Sequence, residues 1–348
     1  MTIPVLIPNS IHTNRQFYTV LNESYLKHID SFSLEVYHNN KKVKAGIDKD
    51  TQKQGNTEIY YLNETNEDKS YDHEINDDIL LLYDDAGVNY AHFFFDFFGK
   101  CLYFKEVKKP YPNLKIGIPE DFYSETGNST FIKQWLELYF EKDVEIVVFK
   151  KDQRYKIKTL ILPNSFYWFP EGYGDDYILE EIIKTVEKVP AIETKSKGCY
   201  ISRQDTVKRE WHNKRHLTNE TDLIESIQNE LGYDIIELMD YDVIGKIQIF
   251  KSYDFIIQQS SASNVSLLFS NKKNTNIIIS HPIMENWLNF KCQQFSQKSK
   301  TNLITLGGGG ELVNGYDETL VDQNNYPWKL SNIEGVIEIL KQIDKGDI

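Results

Sequence analysis

Gly198-Cys199-Tyr200-Ile201-Ser202-Arg203, answered further on by Asp254-Phe255-Ile256-Ile257-Gln258-Gln259-Ser260-Ser261-Ala262-Ser263-Asn264, decides how this chain is read. Each is a short apolar run that gives way to hydroxyl, amide and charged residues. Runs of that length without polar alternation fit strands buried on both faces, as in a parallel sheet covered by helices. Between them, residues 219–231 place Leu223, Ile224, Ile227 and Leu231 on one helical face, and Gly232 is a natural stop. Residues 234–238 follow as a strand and 243–251 as a short helix. Beyond them, 262–269 reads as a helix and 275–280 as a strand. Ser331 followed by Glu334 reads as a capping box opening a last helix over 332–343.

Working outward, the same rhythm starts at residue 79. Residues 79–83 form a strand, 89–104 a phenylalanine-rich helix, and 115–118 a strand ended by Pro119. An amphipathic helix over 130–140 carries Phe131, Trp135, Leu136 and Tyr139. Strands over 145–149 and 158–162 and a helix over 176–189 complete this half. Strands alternating with helices predict an α/β fold, with two doubly wound halves facing across a cleft. Residues 1–77 hold strand-like pieces at 32–36 and 59–62 among polar loops, and read as an extension of the first domain. The predicted domains are therefore 78–190 and 191–348, each with its own core, as a chain of 348 residues allows.

The chain holds 39 basic and 52 acidic residues, a net charge of −13. That balance argues against general binding to nucleic acid or to an anionic membrane surface. Cys101, Cys199 and Cys292 lie far apart and match no zinc spacing. They predict reduced thiols and a cytoplasmic location. Residues 1–10 lack the pattern of a secretory signal, and no run reaches the length of a membrane span.

Against that acidic background, the cations at Arg203, Lys208, Arg209, His212, Lys214, Arg215 and His216 form a local cluster. An arginine just past a strand points into the crevice where open α/β sheets bind ligands, and guanidinium groups grip phosphate oxygens in a planar fork. A solvated basic loop paired with nearby acids is an equally good reading of charge alone. Gln258 to Asn264 follows a strand and opens a helix, where small residues and unpaired amides suit a phosphate; ordinary serine and asparagine capping fits the same residues. His92 and Asp96 are four apart on the phenylalanine-rich helix. A carboxylate beside an imidazole suits a general base, although such pairs are more often structural. Gly307 to Gly310 lacks the Lys-Ser/Thr of a phosphate-binding loop and reads better as a mobile loop, which could border the cleft.

Taken in order, these pieces resemble glycosyltransferase family 61, whose bacterial members include capsular polysaccharide biosynthesis proteins. The resemblance spans about residues 78–340. It rests on Asn89-Tyr90-Ala91-His92-Phe93-Phe94-Phe95-Asp96, on Tyr200-Ile201-Ser202-Arg203 with Arg209 and Asn213, on Gln248-Ile249, and on residues 254–269. It implies a GT-B fold of two Rossmann-like domains. It also implies inverting transfer from a nucleotide sugar, expected to be UDP-linked, to a glycan or lipid-linked acceptor, with no essential metal and no cofactor. An acceptor carried on lipid would bring the chain to a membrane surface. By the same resemblance Arg203, Lys208, Arg209, Gln248, Ser260, Ser261, Ser263 and Asn264 hold the donor, and His92 with Asp96 accepts the acceptor's proton. The chain departs from the family where Ser260-Ser261-Ala262-Ser263 replaces His-Gly-Ala-Gly. It also has Lys214 and Ile247 where acidic residues are common. Two alternatives stay open: a non-catalytic descendant that binds glycan or a partner protein, and a pyruvyl transferase of similar architecture.

Overall fold

A computed structural model describes residues 2–4, 17–30, 33–38, 41–43, 61–64, 70–83, 89–124, 130–141, 143–163, 176–204, 216–282, 285–307, 309–313 and 327–347. The chain forms two compact units, Met1–Glu181 and Ile182–Ile348.

The first unit is built on a nine-stranded mixed sheet. Its strands are β1 (Thr2–Pro4), β2 (Phe17–Asp30), β3 (Ser33–His38), β4 (Lys41–Val43), β5 (Tyr61–Glu64), β6 (His73–Leu81), β7 (Lys115–Pro119), β8 (Ile146–Phe149) and β9 (Arg154–Pro163). Four of them run parallel in the order β8-β7-β6-β9, the doubly wound order 3-2-1-4. The expected parallel sheet is thus present, but it continues past β9 as an antiparallel wing, β2-β3-β4-β5, with β1 on β2. β2 and β9 pair from Tyr18↔Pro163 to Lys27↔Arg154. Residues 150–153 join β8 to β9. The rings of Phe149 and Tyr155 lie 5.0 Å apart, and Nδ1 of His28 in β2 bonds the Phe149 carbonyl at 3.1 Å.

Helix α1 leaves the carboxyl end of β6 as Tyr90–His92, passes through a π-helical turn, Phe93–Phe97, and ends as Phe98–Cys101. The N–H of Phe98 reaches the carbonyl of Phe93, the five-residue step of a π turn. Phe93, Phe94, Phe97 and Phe98 are all buried. Phe94 and Phe98 meet Trp135 and Tyr139 of α3 (Thr130–Phe140), beyond the short α2 (Tyr103–Lys108), while Phe93 meets Phe131 and Phe97 stacks on Phe122. Phe94 and Phe98 stand edge-on to Trp135 at 4.8 and 5.6 Å, and Phe98 edge-on to Tyr139 at 4.8 Å. Pairs of this geometry add about 0.5–1.5 kcal/mol each beyond burial. Helix α4 (Asp176–Glu187) contains the division between the two units.

The second unit is a five-stranded parallel sheet of β10 (Gly198–Ser202), β11 (Asp234–Glu237), β12 (Phe255–Gln259), β13 (Thr275–Ile279) and β14 (Asn302–Leu306). Its order is β11-β10-β12-β13-β14. This is the doubly wound order 2-1-3-4-5, which reverses between β10 and β12. One face carries α5 (Glu220–Leu231) and α8 (Ile333–Lys345), with Tyr200, Leu223, Ile227, Ile257, Trp328 and Ile337 in its core. Gly232 caps α5 in the left-handed region, φ 66°, as expected. The remaining helices are α6 (Val243–Ser252) and α7 (Glu285–Ser299), and a ribbon pairs β15 (Gly310–Leu312) with β16 (Trp328–Leu330).

The expected helix over 262–269 is present with those bounds, as a 3-10 helix whose residues 264–269 are buried. Two expectations are corrected. The cap of α8 is Asn332, whose Oδ1 accepts from the Gly335 N–H at 2.8 Å, not Ser331, whose hydroxyl bonds Glu311. The glycine run is not only a loop. Gly310 opens β15 under Trp328, where a Cβ would come within 2.9 Å of the ring. All three cysteines are buried free thiols, and burial pushes Cys292 up to about 12. Among the described residues, no helix is long and apolar enough to cross a membrane.

Candidate functional site

Open parallel sheets bind ligands beyond the carboxyl ends of the strands where the order reverses. In the second unit those ends are Ser202 of β10 and Gln259 of β12. Arg203 is the first residue past β10 and is half-buried. Its backbone N–H donates to Oε1 of Glu220 at 2.9 Å, and its guanidinium lies close enough to Glu220 to favour that carboxylate. The expected placement of an arginine at the strand end is therefore met by the fold.

Glu220 organises this corner. Besides Arg203, its Oε1 accepts from the Tyr200 hydroxyl at 2.9 Å and from Nε2 of Gln259 at 2.7 Å, and that Nε2 also meets the Tyr200 oxygen at 2.7 Å. One carboxylate thus ties β10, β12 and the first residue of α5 together. Burial raises its pKa, the Arg203 N–H and Tyr200 hydroxyl pull it down, and the neighbouring Glu237 raises it again. Glu237 ends β11 in register with Ser202, so it belongs to the same edge. Sequence reading passed over Glu220 and took Gln259 only as part of the 258–264 segment. An acid in the first turn of a helix ordinarily faces solvent and complements the dipole. The one available signal was its position shortly after the run of basic residues in the sequence.

The turn out of β12 is closed by its own side chains. Ser260 continues the ladder to β13, its N–H donating to the Ile279 carbonyl at 3.0 Å and its hydroxyl accepting from the His281 N–H at 3.1 Å. Ser261 and Asn264 form a capping box: the Ser261 N–H reaches Asn264 Oδ1 at 2.7 Å, and the Ser263 N–H reaches Ser261 Oγ at 3.2 Å. Asn264 also holds the Gln259 carbonyl at 3.1 Å. Ordinary capping therefore consumes the Ser263 amide that a phosphate would need. The hydroxyls of Ser261 and Ser263, 2.5 Å apart, remain beside the strand end, with Ser263 Oγ donating to Gln258 Oε1 at 3.4 Å. His281, at the end of β13, is buried and edge-on to Trp328 at 5.6 Å. It is a further titratable group at this edge that the sequence did not flag.

Gln248 is half-buried in the middle of α6. Lys208, Arg209 and Asn213 lie outside the described residues. In the first unit, His92 stands in the first turn after β6, the strand at which that sheet's order reverses. Asn89 caps this turn, its Oδ1 accepting from the Ala91 and His92 N–H groups at 3.1 and 3.4 Å. The turn from His92 to Asp96 is π-helical and not α-helical; the Asp96 side chain is outside the described set. Among the described residues, no three His, Cys, Asp or Glu side chains are grouped as metal ligands.

A model of the family described as Glycosyltransferase 61 matches residues 90–278, more than half of the chain, from α1 through β13. No curated protein matches it.

Proposed function

The chain belongs to glycosyltransferase family 61, and from that premise we propose that it is an inverting, metal-independent enzyme of surface polysaccharide synthesis. It moves a sugar from a nucleotide-sugar donor to a glycan or lipid-linked oligosaccharide. The reading takes the two Rossmann-like units as a GT-B pair, with residues 78–190 on the acceptor side and 191–348 holding the donor.

The acceptor hydroxyl attacks the anomeric carbon on the face opposite the nucleotide. The new glycosidic C–O bond forms as the bond to the diphosphate oxygen breaks, and the hydroxyl proton passes to His92, oriented by Asp96. The departing diphosphate carries the developing charge. Arg203, with Lys208 and Arg209 further along the chain, neutralises it electrostatically. Ser261 and Ser263 contribute hydroxyls beside it.

The observation that supports this most is Arg203 at the reversal point of the parallel sheet, its backbone anchored on buried Glu220. A thermal-shift screen with UDP, GDP, ADP and their sugars tests it. One nucleotide family should raise the Tm of the wild type and lose that effect in Arg203→Ala, whose own Tm stays near wild type. A response to phosphoenolpyruvate alone would turn the reading toward pyruvyl transfer. Nucleotide binding without nucleotide release in the presence of glycan acceptors would mark a non-catalytic chain.

A further inference from the structure

Arg154, Lys156 and Lys158 alternate along β9 with Tyr155, Ile157 and Thr159. The second set is buried, whereas Arg154 and Lys156 are half-buried and Lys158 is exposed. Three cations therefore line the outer face of the strand, about 7 Å apart. β9 lies between β2 and β6, so these charges guard no open edge of the sheet. On β2, Lys27 stands directly opposite Arg154, and Tyr25 opposite Lys156. Two like charges in register repel each other and cost stability unless an anion lies over the pair.

Tyrosines continue this face. Tyr25 is in register with Tyr37 of β3, and Tyr37 with Lys42 of β4. Tyr71, 44% exposed, stands 6.4 Å from Tyr25 at 47°, with Nζ of Lys156 over its ring at 5.5 Å. Most carboxylates here are held by the protein itself. Glu35 accepts from Lys42 at 2.6 Å and from the Tyr37 hydroxyl at 2.9 Å. Glu74 pairs with Lys156 at 2.8 Å, and Asp72 accepts the Arg154 N–H at 2.8 Å. Glu23 is exposed opposite Lys158, between the pairs Asn22↔Thr159 and Ser24↔Ile157, and opposes an anion at that end. Among the described residues, Lys27 and Lys158 form no ion pair.

A row of cations beside tilted tyrosines suits a linear chain of charged sugars. Such a chain offers C–H faces to the rings and repeating anionic groups to the cations. A nucleic acid or an anionic bilayer spreads its charge well beyond the stripe, against a chain whose net charge is −13. Bases also need flat open faces, and Lys156 already occupies one face of Tyr71. We propose that the outer face of β2 and β9 binds a linear acidic polysaccharide. Its carboxylate or phosphate groups lie along Lys27, Arg154, Lys156 and Lys158, with a sugar ring against Tyr71. This surface belongs to the first unit, and its binding does not depend on the donor site proposed in the second.

Calorimetry on the full chain takes polygalacturonate fragments as the acidic probe and dextran fragments of the same length as the neutral one. Single-stranded oligothymidine and vesicles of phosphatidylglycerol in phosphatidylcholine present the other polyanions. The wild type should bind polygalacturonate, leave dextran unbound, and lose roughly tenfold or more in affinity between about 0.05 M and about 0.5 M salt. Lys27→Gln combined with Lys158→Gln should cost roughly tenfold, and Tyr71→Ala about threefold or more. Glu23→Gln removes the opposing charge and should strengthen binding by about twofold. Lys158→Gln alone, at an exposed position, serves should the double variant not fold. Equal affinity in the wild type and the lysine variants, or no binding of polygalacturonate by the wild type, would overturn the proposal. So would tighter binding of dextran, oligothymidine or the vesicles than of polygalacturonate.

Discussion

The backbone N–H of Arg203 donates to Oε1 of Glu220 at 2.9 Å, bridging seventeen positions of sequence. The end of a strand is thereby fixed to the first residue of a helix by a carboxylate that is itself out of water. Burial raises the Glu220 pKa above its ordinary value. The folded state therefore holds its proton more tightly than the unfolded chain. The associated stability is present below the unfolded pKa and is lost as pH rises through the folded one. Comparing wild type with Glu220→Gln from pH 4 to 8, the Tm difference should move against the wild type as pH rises. Glu220→Ala should cost about 3 kcal/mol or more at any pH, because the Tyr200 hydroxyl, the Gln259 amide and the Arg203 N–H all lose their acceptor. A flat difference across the range would remove Glu220 as the buried hub.

His92→Ala is expected to lower kcat by roughly a hundredfold or more while leaving donor affinity unchanged. In the proposed mechanism His92 takes the acceptor's proton and does not hold the diphosphate, so its loss should leave nucleotide binding intact. Single-turnover transfer, read beside nucleotide calorimetry, separates the two effects. Full activity in the variant would reject the assignment of the base.

Lys291 of α7 is buried, and burial pushes its pKa down to about 8. Between that value and the ordinary lysine range, the unfolded chain carries a proton that the folded chain does not. Stability at this position is therefore gained as pH rises and lost as pH falls through about 8. The Tm of the wild type should improve relative to Lys291→Met by about 2–4 °C on going from pH 7 to pH 10. Parallel curves for the two chains would contradict a depressed lysine.

Gly310→Ala places a Cβ 2.9 Å from the Trp328 ring, inside any normal contact. Trp328 is fully buried in the core of the second unit, so it cannot swing out. A loss of about 1–3 kcal/mol is expected in denaturant unfolding. A neutral substitution would mean that the β15–β16 ribbon is not held by this packing.

The elements that could be read from sequence were those whose local pattern agrees with their place. The Thr130–Phe140 and Gly198–Ser202 segments occur as expected, one marked by apolar residues at helical spacing and the other by an unbroken apolar run. β2 escaped because Asn22, Glu23, Ser24, Lys27 and His28 interrupt its alternation; it is held by pairing with β3 and β9 instead. α7 escaped because Gln293, Gln294, Gln297 and Lys298 blur any apolar stripe.

The order of strand and helix, the domain-sized repetition of that order, and the arginine just past a buried strand all lie in local sequence. Local sequence carries them because periodicity and charge are properties of neighbouring residues. Which strands lie side by side is settled only when the whole chain competes to bury its apolar faces. The order β11-β10-β12 brings Gln259 to Glu220 and Tyr200, thirty-nine and fifty-nine positions away. A buried carboxylate at the start of a helix, gathering donors from one strand, from the residue just past it and from a second strand, exists only because the packed sheet excludes water around it.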